Sequence, residues 1–253
     1  MVVRTLLVRG MFVGVAAGLL SWLYSYIFGE PGIEAGIAFE EQLARSGGES
    51  HGVELVSRGL QATVGLGAAL VVFAVAIGGL FALAYAVAYG RIGALSPRAT
   101  AAVLAAGAFL VVSLVPFLKY PANPPATSDD ATITQRTGLY LGLVLASVIL
   151  AVASVALGRR LNPRLGSWNA VQVAIGAYVL TIGLVMLVLP TVNETPADFP
   201  ATVLYDFRLA AVGNQVVLWA TIGLLFGWLT DRSLRRSQAV KKVGRGARRL
   251  APS

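Results

Sequence analysis

The sequence predicts an all-α integral membrane protein with six transmembrane helices, arranged as three helical hairpins. Hydrophobic residues make up 57% of the chain and charged residues only 13%, against roughly 25% charged residues in ordinary soluble domains. Six separate segments each hold about 20 predominantly apolar residues, the length needed to cross a hydrocarbon layer. The connecting loops alternate in the sign of their charge along the chain.

The six predicted spans are apolar segments bounded by charged or turn-forming residues. A helix rises 1.5 Å per residue, so even the shortest of them extends about 28 Å, close to the thickness of a hydrocarbon layer of about 30 Å. The spans cover residues 10–28, 60–89, 99–118, 138–157, 168–190 and 209–229. They form a membrane domain at residues 1–231, which is followed by a basic tail at residues 232–253.

The distribution of charge predicts the orientation of these spans. Eleven of the twelve acidic residues fall in three alternate loops, whereas fifteen of the twenty Lys and Arg residues fall in the other loops and the two tails. Lys and Arg are retained preferentially on the cytoplasmic side of a membrane. The sequence therefore predicts a multi-pass protein of the cell membrane, with both termini cytoplasmic and the acidic loops outside.

The composition also excludes several classes of function. The net charge of +8 divides into an acidic outer side and a basic inner side, so we interpret it as a topology signal with attraction to membrane lipid, and we predict no nucleic-acid partner. The absence of cysteine excludes disulfides, thiolate metal sites and a cysteine nucleophile. No HExxH, Walker, GxSxG or dinucleotide-binding motif is present, and we predict no enzyme.

The second and third acidic loops resemble each other, and the first is a looser version of them. They read VPFLKYPANPPATSDDATITQRTGL and LPTVNETPADFPATVLYDFRLA. Each begins at a proline that closes an odd span, continues through an asparagine and further prolines, and ends at an arginine that opens an even span. This repetition predicts three similar hairpins related by a pseudo-threefold arrangement.

The arginines that end these loops are Arg58, Arg136 and Arg208, which lie 78 and 72 residues apart. One interpretation is interfacial anchoring, because long cationic side chains extend to the membrane surface from helix ends. The other is pairing with the acidic residues around them, which would hold the loops as a lid. We assign these arginines, together with Asn123 and Asp198, a structural or gating role at the outer face.

The acidic loops also supply candidate metal ligands. Glu30, Glu34, Asn193 and Glu194 stand closest to the predicted bilayer, and their oxygen atoms are suited to a loosely held divalent cation. Glu30 and Glu34 share a face if the first span continues as a helix, which requires Pro31 to lie in the first turn of a new helix. A solvated acidic loop is the favoured interpretation of the remaining acids of the first loop, Glu40, Glu41, Glu49 and Glu54.

The sole histidine, His51, lies in a loop rich in glycine and serine, and we do not predict a catalytic dyad there. The spans carry no charged residue near their middle, which argues against a proton relay or a voltage sensor.

Three segments carry a resemblance to a known family: GEPGIE after the first span, VPFLKYPANPPA before QRTGLYL, and VNETPADFP followed by FRLAAVGNQVVLWATIGLLFG. They resemble the CbtA-type predicted cobalt transporter subunits, whose members are usually described with about five spans. The resemblance implies a membrane subunit of a cobalt uptake system linked to cobalamin synthesis. Co²⁺, with Ni²⁺ as a second candidate, is then the transported ion, and no cofactor is permanently bound.

The same resemblance implies a small single-span partner with a histidine-rich terminus, of the CbtB type. Such a partner would supply the imidazole ligands of intermediate softness that this chain lacks. A second function stays open on the sequence alone, namely a non-transporting membrane scaffold that assembles or stabilises another transporter.

Overall fold

The computed structural model of the protein describes residues 3–47 and 57–250, without the side chains of residues 46, 47, 130 and 238–250. The predictions made for Glu49, His51 and Glu54 therefore lie outside the described residues. Within them the structure is helical with no strand, which confirms the all-α prediction. The α-helices, in chain order, are α1 Val3–Tyr24, α2 Glu30–Gly47, α3 Arg58–Leu60, α4 Leu66–Ala88, α5 Pro97–Ala108, α6 Val115–Lys119, α7 Ile133–Val188 and α8 Ala201–Leu250.

Five helical segments are long and apolar enough to cross a membrane, where the charge pattern predicted six spans. They are Val3–Arg45, Arg58–Ala88, Pro97–Lys119, Ile133–Val188 and Ala201–Ser237. The difference arises in α7, because this 56-residue element contains the fourth predicted span and all but the last two residues of the fifth. The predicted loop between them, at residues 158–167, is helical except at its end.

The chain nevertheless reverses direction within α7. Gly166 has φ 73° and ψ 163°, a left-handed φ that glycine tolerates and that interrupts the helix. Ser147 Oγ and Tyr178 OH are 2.7 Å apart although 31 residues separate them along the chain. In a straight helix, residues 31 positions apart would lie about 46 Å from each other. A Cβ placed on Gly158 would likewise lie 3.0 Å from Ala174 Cβ. The two stretches of α7 thus pack against each other as an antiparallel pair.

Three π turns widen the helices, at Ser25–Gly29, Gln61–Gly65 and Phe109–Leu114. The first and third have a cause in the sequence. Pro31 and Pro116 have no N–H with which to bond the carbonyl four residues earlier, and the proline ring crowds that carbonyl. Both of those carbonyls fall inside a π turn, so local widening of the helix accommodates the proline. Pro31 was expected to lie in the first turn of a new helix, but no new helix begins there: the helix runs without a break from Val3 to Arg45, and the π turn takes up the proline inside it.

One compact unit contains the described residues up to Tyr26, those from 57 to Gly107, and those from Asn214 onward. In it α1 runs antiparallel to α4 at close range. A Cβ on Gly18 would lie 2.6 Å from Val71 Cα, and one on Gly14 would overlap the carbonyl oxygen of Ala74. Gly10, Gly14 and Gly18 repeat every four residues on one face of α1, which lets the two backbones approach each other closely.

The aromatic core of this unit joins α4 to α8. The Tyr85 ring lies 5.0 Å from that of Phe226, and the Phe81 ring lies 5.3 Å from Phe226, both in edge-to-face geometry. The Tyr85 hydroxyl donates to the carbonyl of Pro97 at 3.3 Å, so the one polar atom of this core has a partner.

The other compact unit contains the described residues from Ile27 to 47 and from Ala108 to Gly213. Its interior holds a polar contact among three helical segments. The fully buried Ser147 hydroxyl lies 2.6 Å from the carbonyl of Val111 and 2.7 Å from the hydroxyl of Tyr178. Val111 belongs to the third π turn, where helical hydrogen bonding is irregular. We infer that Ser147 donates to this carbonyl and accepts from Tyr178, so that all three groups are satisfied.

Candidate functional site

The candidate site is the part of the second unit that carries its acidic loops. We call it the acidic cap and define it as α2 together with residues 120–132 and 189–200. Of the nine site residues that the sequence predicts, eight lie in the cap or next to it, and the exception is Arg58. Its three segments come from the three loops that the sequence identified as variants of one another.

Helix α2 packs directly on the other two segments of the cap. Gly36 is buried, and a Cβ there would lie 2.8 Å from the carbonyl oxygen of Pro125. The Phe39 and Phe199 rings meet edge to face with centroids 5.1 Å apart. Phe199 is only 6% exposed, so this contact buries the aromatic residue of the third loop under α2. The cap is therefore one packed assembly.

The second and third loops of the cap hold each other through their arginines. Arg208, after the third loop, donates from Nη2 and Nε to Oδ1 of Asn123 in the second loop, at 2.7 and 3.2 Å. Arg136, after the second loop, has its Nε 3.4 Å from Oε2 of Glu194 in the third loop. We call these four residues the arginine clasp. The contacts are reciprocal between two hairpins, whereas a cyclic threefold arrangement would send each arginine to the next hairpin in turn.

Two further hydrogen bonds join the same loops. The Tyr120 hydroxyl donates to the carbonyl of Pro190 at 2.8 Å, and Lys119 Nζ donates to the hydroxyl of Thr191 at 3.3 Å. They lie where the loops leave α6 and α7, so the two loops are tied at their beginnings as well as through the clasp. Neither contact was predicted, because both depend on which loops become neighbours.

Glu194 is the most constrained carboxylate of the cap. Its Oε2 accepts the backbone N–H of Asp129 at 2.9 Å, and its side chain is 19% exposed. Hydrogen bonding with the Thr132 hydroxyl, then the Asp129 N–H, and then the charge of Arg136 lower the pKa of Glu194 below its ordinary value of 4.5. Each of these interactions favours the ionised carboxylate.

The lowered pKa of Glu194 predicts a pH dependence of the cap. A depressed folded-state pKa contributes stability that is present above the ordinary value of 4.5 and is lost as the pH falls through the folded value. We expect Glu194→Gln to lower the melting temperature at pH 7, and the difference from the parent to shrink as the pH falls through the lowered pKa of Glu194, below which both side chains are uncharged. Thermal unfolding of the two proteins across this range measures the difference.

The matched control for this titration is Asp198→Asn. It removes an exposed carboxylate from the same loop, one that forms no ion pair within the described residues. We expect this variant to follow the pH profile of the parent. A difference between parent and Glu194→Gln that stays constant from pH 7 down to the acidic pH at which carboxylates become protonated would contradict the prediction.

The four predicted metal ligands occupy different environments. Glu30 is 6% exposed at the start of α2, whereas Glu34, one turn later, is exposed. Asn193 is exposed in the third loop, and its neighbour Glu194 belongs to the clasp. Among the described residues no three or more His, Cys, Asp or Glu side chains form a group arranged to hold a metal ion. The metal role of these four residues stays a prediction.

The structure also contains an ionic cluster that the sequence analysis missed, in the first unit. Asp231 is 8% exposed at its side chain, and its Oδ2 lies 2.9 Å from Arg98 Nε and 3.1 Å from Arg235 Nε. Next to it, Arg9 Nη1 donates to the Thr230 hydroxyl at 2.9 Å. The sequence does contain an indication of this cluster. Asp231 is the one acidic residue in the predicted cytoplasmic segments, where basic residues surround it.

Comparison with known proteins agrees with these observations. The chain matches the family model described as "Probable cobalt transporter subunit (CbtA)" over residues 3–231, nearly its whole length. A search of curated proteins and a search of solved structures found no match. The matched region contains the three acidic segments and four of the five helical segments that are long and apolar enough to cross a membrane, and it contains the fifth, Ala201–Ser237, up to residue 231. The chain therefore belongs to the CbtA family of probable cobalt transporter subunits.

Proposed function

We propose that this chain is the membrane conduit of a Co²⁺ uptake system that supplies cobalamin synthesis, with Ni²⁺ as a second possible cargo. The observation that carries this proposal is the family match over residues 3–231, which includes the acidic cap as well as the helices. A small single-span partner with a histidine-rich terminus would capture the ion and deliver it to this chain. Imidazole suits a metal of intermediate softness better than the carboxylates of the cap do.

The proposed conduit lies in the cell membrane, crosses it six times and has both termini in the cytoplasm. The reversal of α7 at Gly166 supports six crossings, since it divides a 56-residue element into two antiparallel stretches. Arg159, Arg160 and Arg164 lie near this reversal and favour its placement on the cytoplasmic side. The acidic cap then faces outward.

The acidic cap acts in this proposal as the entrance for the cation. Its carboxylates raise the local concentration of divalent cations by electrostatic attraction, before any selective step. Glu30, Glu34, Asn193 and Glu194 make the first contacts with the ion. The arginine clasp determines the spacing of the two loops that frame them, so it is placed to control access.

The alternative function is a non-transporting scaffold for another transporter. One observation favours it: Glu194, among the strongest candidate ligands, already interacts with Arg136 and with the backbone of the neighbouring loop. Such contacts indicate a structural role for the carboxylate. In this case the cap would be a docking surface for another subunit and would not bind the metal itself.

Flux of radioactive cobalt into vesicles separates the two functions. The purified chain and a candidate single-span histidine-rich partner are reconstituted each alone and, separately, together, and the initial rate of ⁵⁷Co²⁺ entry is compared with that into empty vesicles. We expect entry in the two-component vesicles and little entry with the partner alone. Equal entry with and without this chain would contradict the conduit and support the scaffold.

Substitution of the candidate ligands tests the entrance. We expect Glu30→Gln and Glu194→Gln each to lower cobalt accumulation in cells that express the intact system, because each removes a negative charge from the cap. Arg136→Gln is the matched comparison for Glu194→Gln, since it breaks the same ion pair from the other side and leaves the carboxylate in place.

The two variants of this pair distinguish a ligand from a structural residue. A ligand role for Glu194 predicts that Glu194→Gln raises the cobalt concentration needed for half-maximal uptake more than Arg136→Gln does. Equal effects of the two variants would assign Glu194 to the clasp alone. Unchanged uptake in both glutamate variants, at equal abundance in the membrane, would remove these carboxylates from the mechanism.

A further inference from the structure

The three arginines that follow Asp231 in the part of α8 with described side chains divide into two groups. Arg235 shares the carboxylate of Asp231 with Arg98, and this pairing neutralises part of the cluster. Arg232 and Arg236 are exposed one turn apart on another face of α8, and neither forms an ion pair within the described residues. Residues 232–253 contain no Asp or Glu, so this segment of the chain offers no counter-charge of its own.

The two unneutralised arginines border a shallow groove of about 500 Å³ along this face of α8. The groove is lined by Trp228, Leu229, Arg232, Ser233, Arg236 and Ser237. It therefore has an apolar end formed by an indole and a leucine, and a polar end formed by two guanidinium groups and two hydroxyls. The Arg232 guanidinium lies 5.2 Å from the centre of the Trp228 ring. This cation–π contact orients the arginine at the boundary between the two ends.

This arrangement has the chemistry of a phospholipid headgroup site. Guanidinium groups bind phosphate oxygens through paired N–H donors, and tryptophan is enriched where the acyl region of a bilayer meets its headgroups. Two adjacent positive charges repel the cationic end of a zwitterionic headgroup and attract a headgroup with a net negative charge. The groove also lies within the segment Ala201–Ser237, which is apolar enough to enter a membrane.

We propose that this groove binds the headgroup of an anionic phospholipid, with the phosphodiester between Arg232 and Arg236 and the glycerol and upper acyl chains against Trp228 and Leu229. The site depends on insertion of the chain in a membrane and not on cobalt transport. Its failure and that of the proposed function are therefore distinguishable, because lipid binding is measured without metal.

The test uses the full-length protein in detergent micelles. Phosphatidylglycerol or phosphatidylcholine is added in equal steps, and bound lipid is measured by native mass spectrometry, with the melting temperature as a second measurement. We expect preferential retention of phosphatidylglycerol by the parent. Arg232→Gln with Arg236→Gln should weaken this binding by roughly tenfold, because each cation near a membrane surface contributes appreciably to the attraction of anionic lipid.

Two control variants distinguish a specific lipid site from a general effect of charge. Arg160→Gln with Arg164→Gln makes the same change in net charge at exposed positions outside the groove, and we expect it to leave phosphatidylglycerol binding unchanged. Trp228→Ala keeps both arginines and removes the indole, and we expect weaker binding. Equal losses in the two double variants, or no loss in Trp228→Ala, would overturn the site in favour of a general effect of charge.

Inorganic phosphate provides the remaining comparison. It carries the same phosphoryl chemistry without the acyl chains, so it should not displace phosphatidylglycerol at millimolar concentration if the apolar end of the groove contributes. Displacement by phosphate alone, or the lack of any preference for phosphatidylglycerol over phosphatidylcholine, would overturn the proposal.

Discussion

Gly14→Ala is expected to destabilise the protein strongly, although alanine is the better helix former. The added Cβ would overlap the carbonyl oxygen of Ala74 on α4, and its neighbour Gly18 already sits so close that a Cβ there would be 2.6 Å from Val71 Cα. A clash with backbone atoms is not relieved by a change of rotamer, so the two helices must separate. Overpacking of this kind costs about 1–3 kcal/mol. This corresponds to a melting temperature lower by roughly 3–10 °C for a chain of this size.

The matched control is Gly107→Ala at the end of α5. It makes the same substitution in a helix of the same unit, but a Cβ there has no atom within 4 Å. We expect its melting temperature to equal or exceed that of the parent, because alanine is favoured over glycine in helices by roughly 1 kcal/mol. Similar melting temperatures for Gly14→Ala and the parent would show that α1 and α4 are not in close contact.

The second large effect is expected in the acidic cap when both arginines of the clasp are removed. Arg136→Gln with Arg208→Gln deletes the charged side chains that bind Glu194 and Asn123, so the two loops lose their reciprocal contacts. Hydrogen bonds to charged groups are stronger than those between neutral groups. We expect the loops to sample a wider range of separations and cobalt uptake by the intact system to fall.

The absence of cysteine from the chain makes this change directly measurable. Spin labels attached to Ala122→Cys and Ala197→Cys, both exposed in the two loops, report the loop separation by pulsed electron resonance. We expect a narrow distribution of distances in the otherwise native chain and a broad one in the double arginine variant. Arg160→Gln with Arg164→Gln is the charge-matched control and should keep the narrow distribution. A narrow distribution in both double variants would mean that Tyr120 and Lys119 hold the loops without the clasp.

Much of the helical architecture was predictable because membrane insertion imposes a length and a charge rule on the sequence. The predicted apolar spans fall on described helices, although Pro31 lies inside a helix that is continuous from Val3 to Arg45 and does not begin a new one. The stretch around residues 158–167 was predicted as a loop, yet it is helical up to Gly166. Short connections between helices obey the same local propensities as the helices they join, so their composition does not reveal where the helix stops.

The candidate site was predictable as a set of residues but not as a set of contacts. Arg136, Arg208 and Asn123 were selected because they recur in similar loops, and recurrence does not say which loop faces which. Glu194 was selected as a metal ligand, and its contact with Arg136 became visible only from the packing of the second and third loops. The same limit applies to Asp231, whose burial depends on α8 lying against Arg98.

The sequence by itself determined the class of the protein, its helices and the segregation of its acidic and basic residues, because these follow from the chemistry of each segment with water and lipid. Only the tertiary structure decided the pairing of Arg136 and Arg208 across the two loops, the close approach of α1 to α4 and the reversal of α7 at Gly166. These features depend on distances between residues far apart in the chain. Such distances are set by packing, which no local pattern of residues encodes.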